Sequence, residues 1–239
     1  MRLTSWIDSL RNRLASTGSR RRWQSASRNV EALEDRTLLS VTSLFVNGLL
    51  SVTATSGESI RITTDTTLNA VVEVDGELDT NLPQVLASSV EQIEVIGGDG
   101  DNAIDLIDVR SAIFTHTDPG TGSPMSISVN GGDGQDTIDG STDMDDVLFG
   151  GDGDDVINGG NGSNHLDGGD GNDNLSGGAG NDSLVGEDGQ DTLRGENGVD
   201  TLSGGNGRDS LMGDAGDDSI DGGHGNDTIL GGSDNDSLN

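Results

Sequence analysis

Aspartate recurs at a fixed spacing in the C-terminal part of this 239-residue chain. From Gly150 to Asn239 the sequence divides into ten consecutive nine-residue units, and position six is Asp in nine of them, with Asn164 as the exception. Position one is Gly in all ten, and position four is Gly in nine, the exception being Asp234. Carboxylates and backbone carbonyls are the ligands of hard divalent cations. The spacing therefore predicts a series of cation sites.

Position eight of every unit is Ile or Leu, and these side chains are the candidate core. We expect positions one to six to form a glycine-rich turn and positions seven to nine a short strand. Sequence rich in Gly and Asp is often a disordered linker, but the strict apolar position favours a folded repeat. The candidate core residues are Ile157, Leu166, Leu175, Leu184, Leu193, Leu202, Leu211, Ile220, Ile229 and Leu238.

Further copies lie upstream. GGDGQDTID at 131–139 obeys the rule, residues 140–149 form a degenerate ten-residue copy, and GGDGDNAID at 97–105 stands alone. The units over 131–239 resemble the RTX (repeats-in-toxin) nonapeptides, or haemolysin-type calcium-binding repeats, of secreted bacterial proteins. The resemblance implies an all-β fold, a parallel β-roll (right-handed β-solenoid) with two nonapeptides in each coil.

In such a roll the turns on one side recur every 18 residues, so each Ca²⁺ is expected between units n and n+2, with Asn164 giving a weaker site. About eight to ten ions are expected. The predicted side-chain ligands are Asp136, Asp146, Asp155, Asn164, Asp173, Asp182, Asp191, Asp200, Asp209, Asp218, Asp227 and Asp236. The predicted carbonyl ligands are those of Gly150, Gly153, Gly168, Gly171, Gly186, Gly189, Gly204 and Gly207.

Composition narrows the choice of metal. The chain has no Cys and three His, so an oxygen-only ligand set favours calcium over zinc or copper. Magnesium holds its water and demands octahedral geometry, so it should substitute poorly. An EF-hand would need a Glu at loop position twelve and flanking helices, and neither occurs. With a net charge of −31 and 30% hydrophobic residues, stacked carboxylates should keep the repeat unfolded until calcium binds.

No catalytic motif is found, so the sequence predicts a protein that is not an enzyme. The patterns H-E-x-x-H, G-x-S-x-G and the phosphate-binding G-x-x-x-x-G-K-[ST] are all absent. The histidines, His116, His165 and His224, lie far apart in sequence. The acidic body should repel nucleic acid, and no apolar run is long enough to span a membrane as a helix.

The first 40 residues differ in charge from the rest, with eight Arg against four acidic residues. VEALEDRTLLS at 30–40 resembles the LEPR-XLL segment of certain exported and surface bacterial proteins, with Asp35 where that pattern has Pro. The resemblance implies that residues 1–40 are an export or targeting segment, disordered or helical. The alternative is a basic amphipathic helix with no targeting role.

Residues 41–130 alternate in the manner of β-strands and hairpins, with runs at 44–55, 59–64, 69–76, 90–98, 112–117 and 125–130. We expect a β-rich lead-in, or a degenerate solenoid that caps the roll, since an open solenoid end exposes edge and core. Three domains are thus predicted: 1–40, 41–130 and the roll at 131–239.

The function predicted from these features is a secreted or cell-surface calcium-binding β-roll that folds on meeting extracellular calcium and has a structural or adhesive role. Its partners would be calcium and cell-surface or matrix components. One alternative is a non-catalytic part or relative of a secreted RTX toxin or hydrolase, and another is a calcium buffer or export chaperone. No secretion tail follows the last repeat, so either the N-terminus directs export or the chain is incomplete.

Overall fold

The computed structural model describes residues 42–46, 49–54, 57–64, 69–74, 77–78, 85–86, 90–110 and 126–239, all within one compact unit, Ser40–Asn239. Every regular element among them is a β-strand. The strands are β1 (Thr42–Val46), β2 (Leu49–Thr53), β3 (Ser59–Thr64), β4 (Asn69–Val74), β5 (Glu77–Leu78), β6 (Val85–Leu86), β7 (Gln92–Asp99), β8 (Ala103–Asp105), β9 (Ser126–Asp133), β10 (Thr137–Asp139), β11 (Asp146–Asp152), β12 (Val156–Asn161), β13 (His165–Asp170), β14 (Asn174–Ala179), β15 (Ser183–Gly189), β16 (Thr192–Asn197), β17 (Thr201–Gly207), β18 (Ser210–Ala215), β19 (Ser219–Gly225), β20 (Thr228–Ser233) and β21 (Ser237–Leu238).

The strands form two sheets that are parallel throughout the repeat region. One sheet runs β1-β2-β7-β9-β11-β13-β15-β17-β19-β21 and the other β20-β18-β16-β14-β12-β10-β8-β3-β4-β5, with β6 beside β4. Successive strands of the chain alternate between the sheets, so one coil takes two nonapeptides, and Leu166 pairs with Leu184, 18 residues later. The predicted all-β parallel β-roll is confirmed, as a solenoid of about six turns.

The strands are longer than the spacing predicted. Strand β14, for example, begins at position seven of one unit and ends at position three of the next, at Ala179. The glycines at positions one and two therefore belong to the strands, and the bend is confined to positions four to six. Gly178 at position two has φ +107°, a conformation that glycine adopts without the steric cost of a Cβ.

The position-eight side chains form the core between the sheets. Eight of the ten, from Ile157 to Ile220, are at most 1% exposed. Ile229 is only partly buried and Leu238 is 52% exposed, because β20 and β21 are the outermost strands of their sheets. The prediction of an inward position eight is therefore confirmed except in the last coil.

Strands upstream of the repeats continue both sheets. Strand β2 pairs in parallel with β7, and β3 pairs in parallel with β8. The run at 44–55 contains two strands, β1 and β2, which pair antiparallel. Strand β4 also pairs antiparallel with β3, so antiparallel strands occupy this end of both sheets.

Two predictions concern parts of the chain outside the described residues: the export segment at 1–40 and the strand at 112–117. The boundaries of the three proposed domains stay predictions. Among the described residues, no helix is long and apolar enough to cross a membrane.

Candidate metal sites

The position-six side chains stack in two columns, one along each side of the roll. In both columns the backbone N–H of one position-six residue donates to the side-chain Oδ1 of the next one down. Asp155 N–H, for example, donates to Asp173 Oδ1 at 2.8 Å, and Asp182 N–H donates to Asp200 Oδ1 at 2.8 Å. Column A contains Asn102, Asp136, Asp155, Asp173, Asp191, Asp209 and Asp227. Column B contains Asp146, Asn164, Asp182, Asp200, Asp218 and Asp236.

In eight of the carboxylates this ladder uses one oxygen and leaves the other without a partner. Eight Oδ2 atoms are buried and accept no hydrogen bond, and the residues that carry them are at most 3% exposed. A buried polar atom without a partner costs about 1–3 kcal/mol, and more when it is charged. The residues with such an Oδ2 are Asp136, Asp155, Asp173, Asp182, Asp191, Asp200, Asp209 and Asp218.

Burial raises the pKa of these carboxyl groups. Desolvation raises the pKa of Asp155 to about 7, and raises those of Asp173, Asp182 and Asp191 to about 6. The hydrogen bond from the neighbouring backbone N–H acts in the opposite direction in each case but does not cancel the effect. Each column therefore holds carboxylates whose negative charge the protein alone does not compensate.

Asn102 shows which oxygens converge at each level of a column. Its Nδ2 atom donates to Gly100 O at 2.6 Å and to Gly131 O at 3.4 Å. The same atom lies 3.2 Å from Asp136 Oδ1, which is a third acceptor. These three oxygens belong to position four of the same unit, position one of the next coil and the next position-six side chain. The amide nitrogen thus fills a cradle of oxygens.

At the Asp levels an oxygen stands where Asn102 has its amide nitrogen. A Cβ built on Gly97 would contact Asn102 Nδ2 and Gly131 O. A Cβ built on Gly186, its counterpart lower in the column, would lie 2.5 Å from Asp191 Oδ2 and 2.5 Å from Gly204 O. The cradle at Asp191 therefore contains only oxygens and no donor. Such a donor set fits a hard cation such as calcium.

The carbonyls that match the Asn102 cradle are those at positions one and four. These are the two glycine positions from which the eight predicted carbonyl ligands are drawn. Within the described residues, no group of three or more His, Cys, Asp or Glu side chains is arranged to hold a metal. A metal site in the columns therefore needs backbone carbonyls as well as carboxylates.

Four predicted side-chain ligands differ from the eight with an unpartnered buried Oδ2. Asp146 accepts from Ser141 N–H at 2.7 Å and from Ser141 Oγ at 3.1 Å, so each of its oxygens has a donor. Asn164 donates from Nδ2 to Gly177 O at 3.4 Å. Asp227 and Asp236 are half-buried in the last coil and accept from the Asp one turn earlier.

Sequence reasoning missed the role of Asn102. The unit GGDGDNAID at 97–105 was recognised as a copy, and its sixth position could have been added to the column from that alignment. Glu58 carries no such signal, because no repeat surrounds it. Its backbone N–H nevertheless donates to Asn102 Oδ1 at 3.1 Å, which links column A to the strands upstream.

A second, exposed ladder runs along position five. Asn172 N–H donates to Asp154 Oδ1 at 2.8 Å, and Gln190 N–H donates to Asn172 Oδ1 at 3.0 Å. On the other side of the roll, Val199 N–H donates to Asn181 Oδ1 at 2.9 Å. These bonds hold successive turns in register just outside each column.

The repeats match a known family model. Residues 141–175, 167–202 and 203–238 match the model of the RTX calcium-binding nonapeptide repeat (4 copies). No curated protein matches the chain. The matched residues include column B from Asp146 to Asp236 and column A from Asp155 to Asp227.

Proposed function

Because residues 141–238 are RTX calcium-binding nonapeptide repeats, we propose that this protein is a secreted or cell-surface calcium-binding module whose roll folds as calcium binds. One observation carries the proposal: eight buried carboxylate oxygens have no hydrogen-bond donor. A fold that buries this much uncompensated charge needs a cation to be stable near neutral pH.

The protein would hold each ion at a level with an unpartnered Oδ2. The residues involved would be a position-six Asp, the next Asp down its column, and carbonyls of positions one and four. Calcium would supply the positive charge that these oxygens lack. In the folded roll the hydrogen-bond ladder orients both carboxylates, because each Oδ1 accepts from a backbone N–H, as Asp191 Oδ1 does from Asp173 N–H at 2.9 Å. Eight such levels support a stoichiometry of about eight calcium ions.

The proposed site of action is outside the cell. Extracellular calcium modules bind with dissociation constants of about 10⁻⁴–10⁻³ M, which matches calcium levels outside cells and exceeds those inside. The chain would leave the cell unfolded and fold on arrival. A strongly acidic β-solenoid is suited to a structural or adhesive role among cell-surface or matrix components, rather than to binding nucleic acid.

We assign the roll no catalytic role. His165 and His224 lie on strands β13 and β19, which β15 and β17 separate in the sheet, and the buried aspartates among the described residues all belong to the two columns. Hydrolase and haemolysis assays on the calcium-loaded full chain should give no activity above buffer. Activity in either assay would favour a toxin or enzyme relative instead.

The binding itself is tested by counting ions on the full chain with equilibrium dialysis and native mass spectrometry. We expect about eight calcium ions per chain in millimolar calcium, and retention of most of them against equimolar magnesium. Exposed carboxylates would bind either cation weakly and without fixed number. A graded, magnesium-sensitive uptake with no preferred count would contradict the proposal.

A further inference from the structure

We propose that the roll contains metal-free levels, at which a protein group takes the place of the ion: the carboxamides of Asn102 and Asn164, and Ser141 at Asp146. This inference rests on the proposed calcium function and states which position-six residues do not bind calcium. It makes the two columns unequal, with column B taking calcium only from Asp182 downward.

Asn164 is placed as the Asp residues are, but with a donor in place of the unpartnered oxygen. A Cβ built on Gly159 would lie 2.7 Å from Asn164 Nδ2 and 2.6 Å from Gly177 O. A Cβ on Gly177, one turn later, would lie 2.5 Å from Asp182 Oδ2. Nitrogen and oxygen thus occupy equivalent places at successive levels of column B. The Nδ2–H group satisfies Gly177 O, and it would repel a cation at that place.

Asn102 fills the equivalent place in column A more completely. Its Nδ2 meets three oxygens, Gly100 O, Gly131 O and Asp136 Oδ1, at 2.6, 3.4 and 3.2 Å. Its Oδ1 accepts from Glu58 N–H. All polar atoms of this buried side chain therefore have protein partners, and no oxygen is left for an ion.

At Asp146 the donors that satisfy the carboxylate oxygens come from Ser141 rather than from a carboxamide. The degenerate copy at 140–149 places Ser141 so that its N–H and its hydroxyl each donate to one carboxylate oxygen. The Ser141 hydroxyl also accepts from Met144 N–H at 3.2 Å, which holds it in the turn. Both residues are 1% exposed. Ser141 stands at position two, where most units have Gly, and it supplies donors where other units leave an oxygen unpartnered.

The register upstream agrees with a metal-free start of column B. In the sheet that carries Asp146, that residue pairs with Ile127, and Ile127 pairs with Ile93. Both isoleucines are fully buried. Column B therefore continues upstream as hydrophobic core, while Asp146 and Asn164 separate this core from the first level with an unpartnered carboxylate, at Asp182.

The test compares Asn164→Asp with Asn181→Asp in the full chain. Asn181 is an exposed position-five residue whose Oδ1 accepts from Val199 N–H, a role that Asp can keep, so it controls for the added charge. Calcium is counted by native mass spectrometry, and circular dichroism checks that each variant is folded in calcium. We expect one additional ion for Asn164→Asp and an unchanged count for Asn181→Asp.

The reverse variant, Asp182→Asn, covers the case in which Asn164→Asp does not fold. It should bind one ion fewer than the wild type, because an amide donor replaces an unpartnered carboxylate oxygen. If the wild type binds about eight calcium ions and both variants bind the same number, the inference of metal-free levels is wrong and the proposed calcium function is kept. If the wild type binds no calcium, both the inference and the proposed function are wrong.

Discussion

Acidification should stabilise the calcium-free roll and destabilise the calcium-bound roll. The carboxyl pKa of Asp173, Asp182 and Asp191 is raised by burial from 3.8 to about 6 in the folded chain. The folded state then binds more protons than the unfolded state between these values. The stability that protonation of these groups contributes to the folded state is therefore fully present below about pH 4 and is lost as the pH rises through about 6.

The size of the effect follows from the proton difference. Each such group lowers the free energy of unfolding by up to about 1.4 kcal/mol per pH unit across this window. Asp155, with a pKa of about 7, extends the window upward. When calcium is bound the sign reverses, because protons compete with the metal for the same oxygens.

The assay is thermal melting by far-ultraviolet circular dichroism. Chelator-treated protein is measured between about pH 4 and pH 6.5, where protonation favours the calcium-free roll, and protein in saturating calcium is measured between about pH 5 and pH 8. Asp182→Asn should reduce the slope of the calcium-free series, while Asp170→Asn, at an exposed position, should not. Calcium-free stability that stays constant or rises between about pH 4 and pH 6.5 would refute the claim that the columns hold uncompensated carboxylates.

Three further substitutions test the columns, the core and the backbone. Asp191→Ala should weaken calcium binding at two adjacent levels and cost about 1–3 kcal/mol, whereas Asp188→Ala should change the calcium midpoint in a circular dichroism titration less than twofold (about 0.4 kcal/mol); equal effects would contradict the pairing. Leu193→Ala removes a fully buried side chain and should lower the free energy of unfolding of the calcium-bound roll by about 2–5 kcal/mol. Leu230→Ala, at a half-exposed position, should lower it little, as measured by urea unfolding. Equal losses would argue against a continuous core. Glu187→Gly should stabilise the roll by about 1 kcal/mol, because Glu187 has φ +73° where its register neighbours are glycines; a loss of stability would mean that its side chain contributes more than the strain costs.

The register of the repeats could be predicted from the sequence because each unit marks both its core residue and its column residue. The Ile or Leu at position eight marks the inward face, and the Asp at position six marks the column. Ile229 and Leu238 departed from the pattern because burial depends on a neighbouring coil on each side, which no property of a single unit encodes.

The strands upstream were harder to predict. Alternation marked β3 at 59–64 and β7 near 92–99, but did not show that β3 pairs with β8, more than 40 residues later. Strands β1 and β2 are different, because Asn47-Gly48 between them is a dipeptide typical of hairpin turns and the two strands pair antiparallel. The pairing of strands more than 40 residues apart, as in β3 and β8, depends on tertiary contacts rather than on local sequence pattern.

The candidate site was only partly accessible to sequence reasoning. Asn164 is one atom different from Asp, so spacing alone indicated a weakened ligand, whereas the structure shows its Nδ2 donating to Gly177 O. The hydrogen bonds from Ser141 to Asp146 lie in the degenerate copy, where Ser141 replaces the Gly that most units have at position two. In both cases the hydrogen-bond partner, and not the residue type, decides whether an oxygen is free.

The dependence of the fold on calcium is tested most directly by titrating the chelator-treated full chain at about pH 7.5 and following circular dichroism, with magnesium in parallel. Near this pH the carboxyl groups whose pKa is raised to about 6 are ionised. The account predicts a cooperative change from coil to β-sheet in the range of about 10⁻⁴–10⁻³ M calcium, with magnesium leaving most of the chain unfolded. A full β-sheet spectrum in chelator, unchanged by calcium, would contradict it.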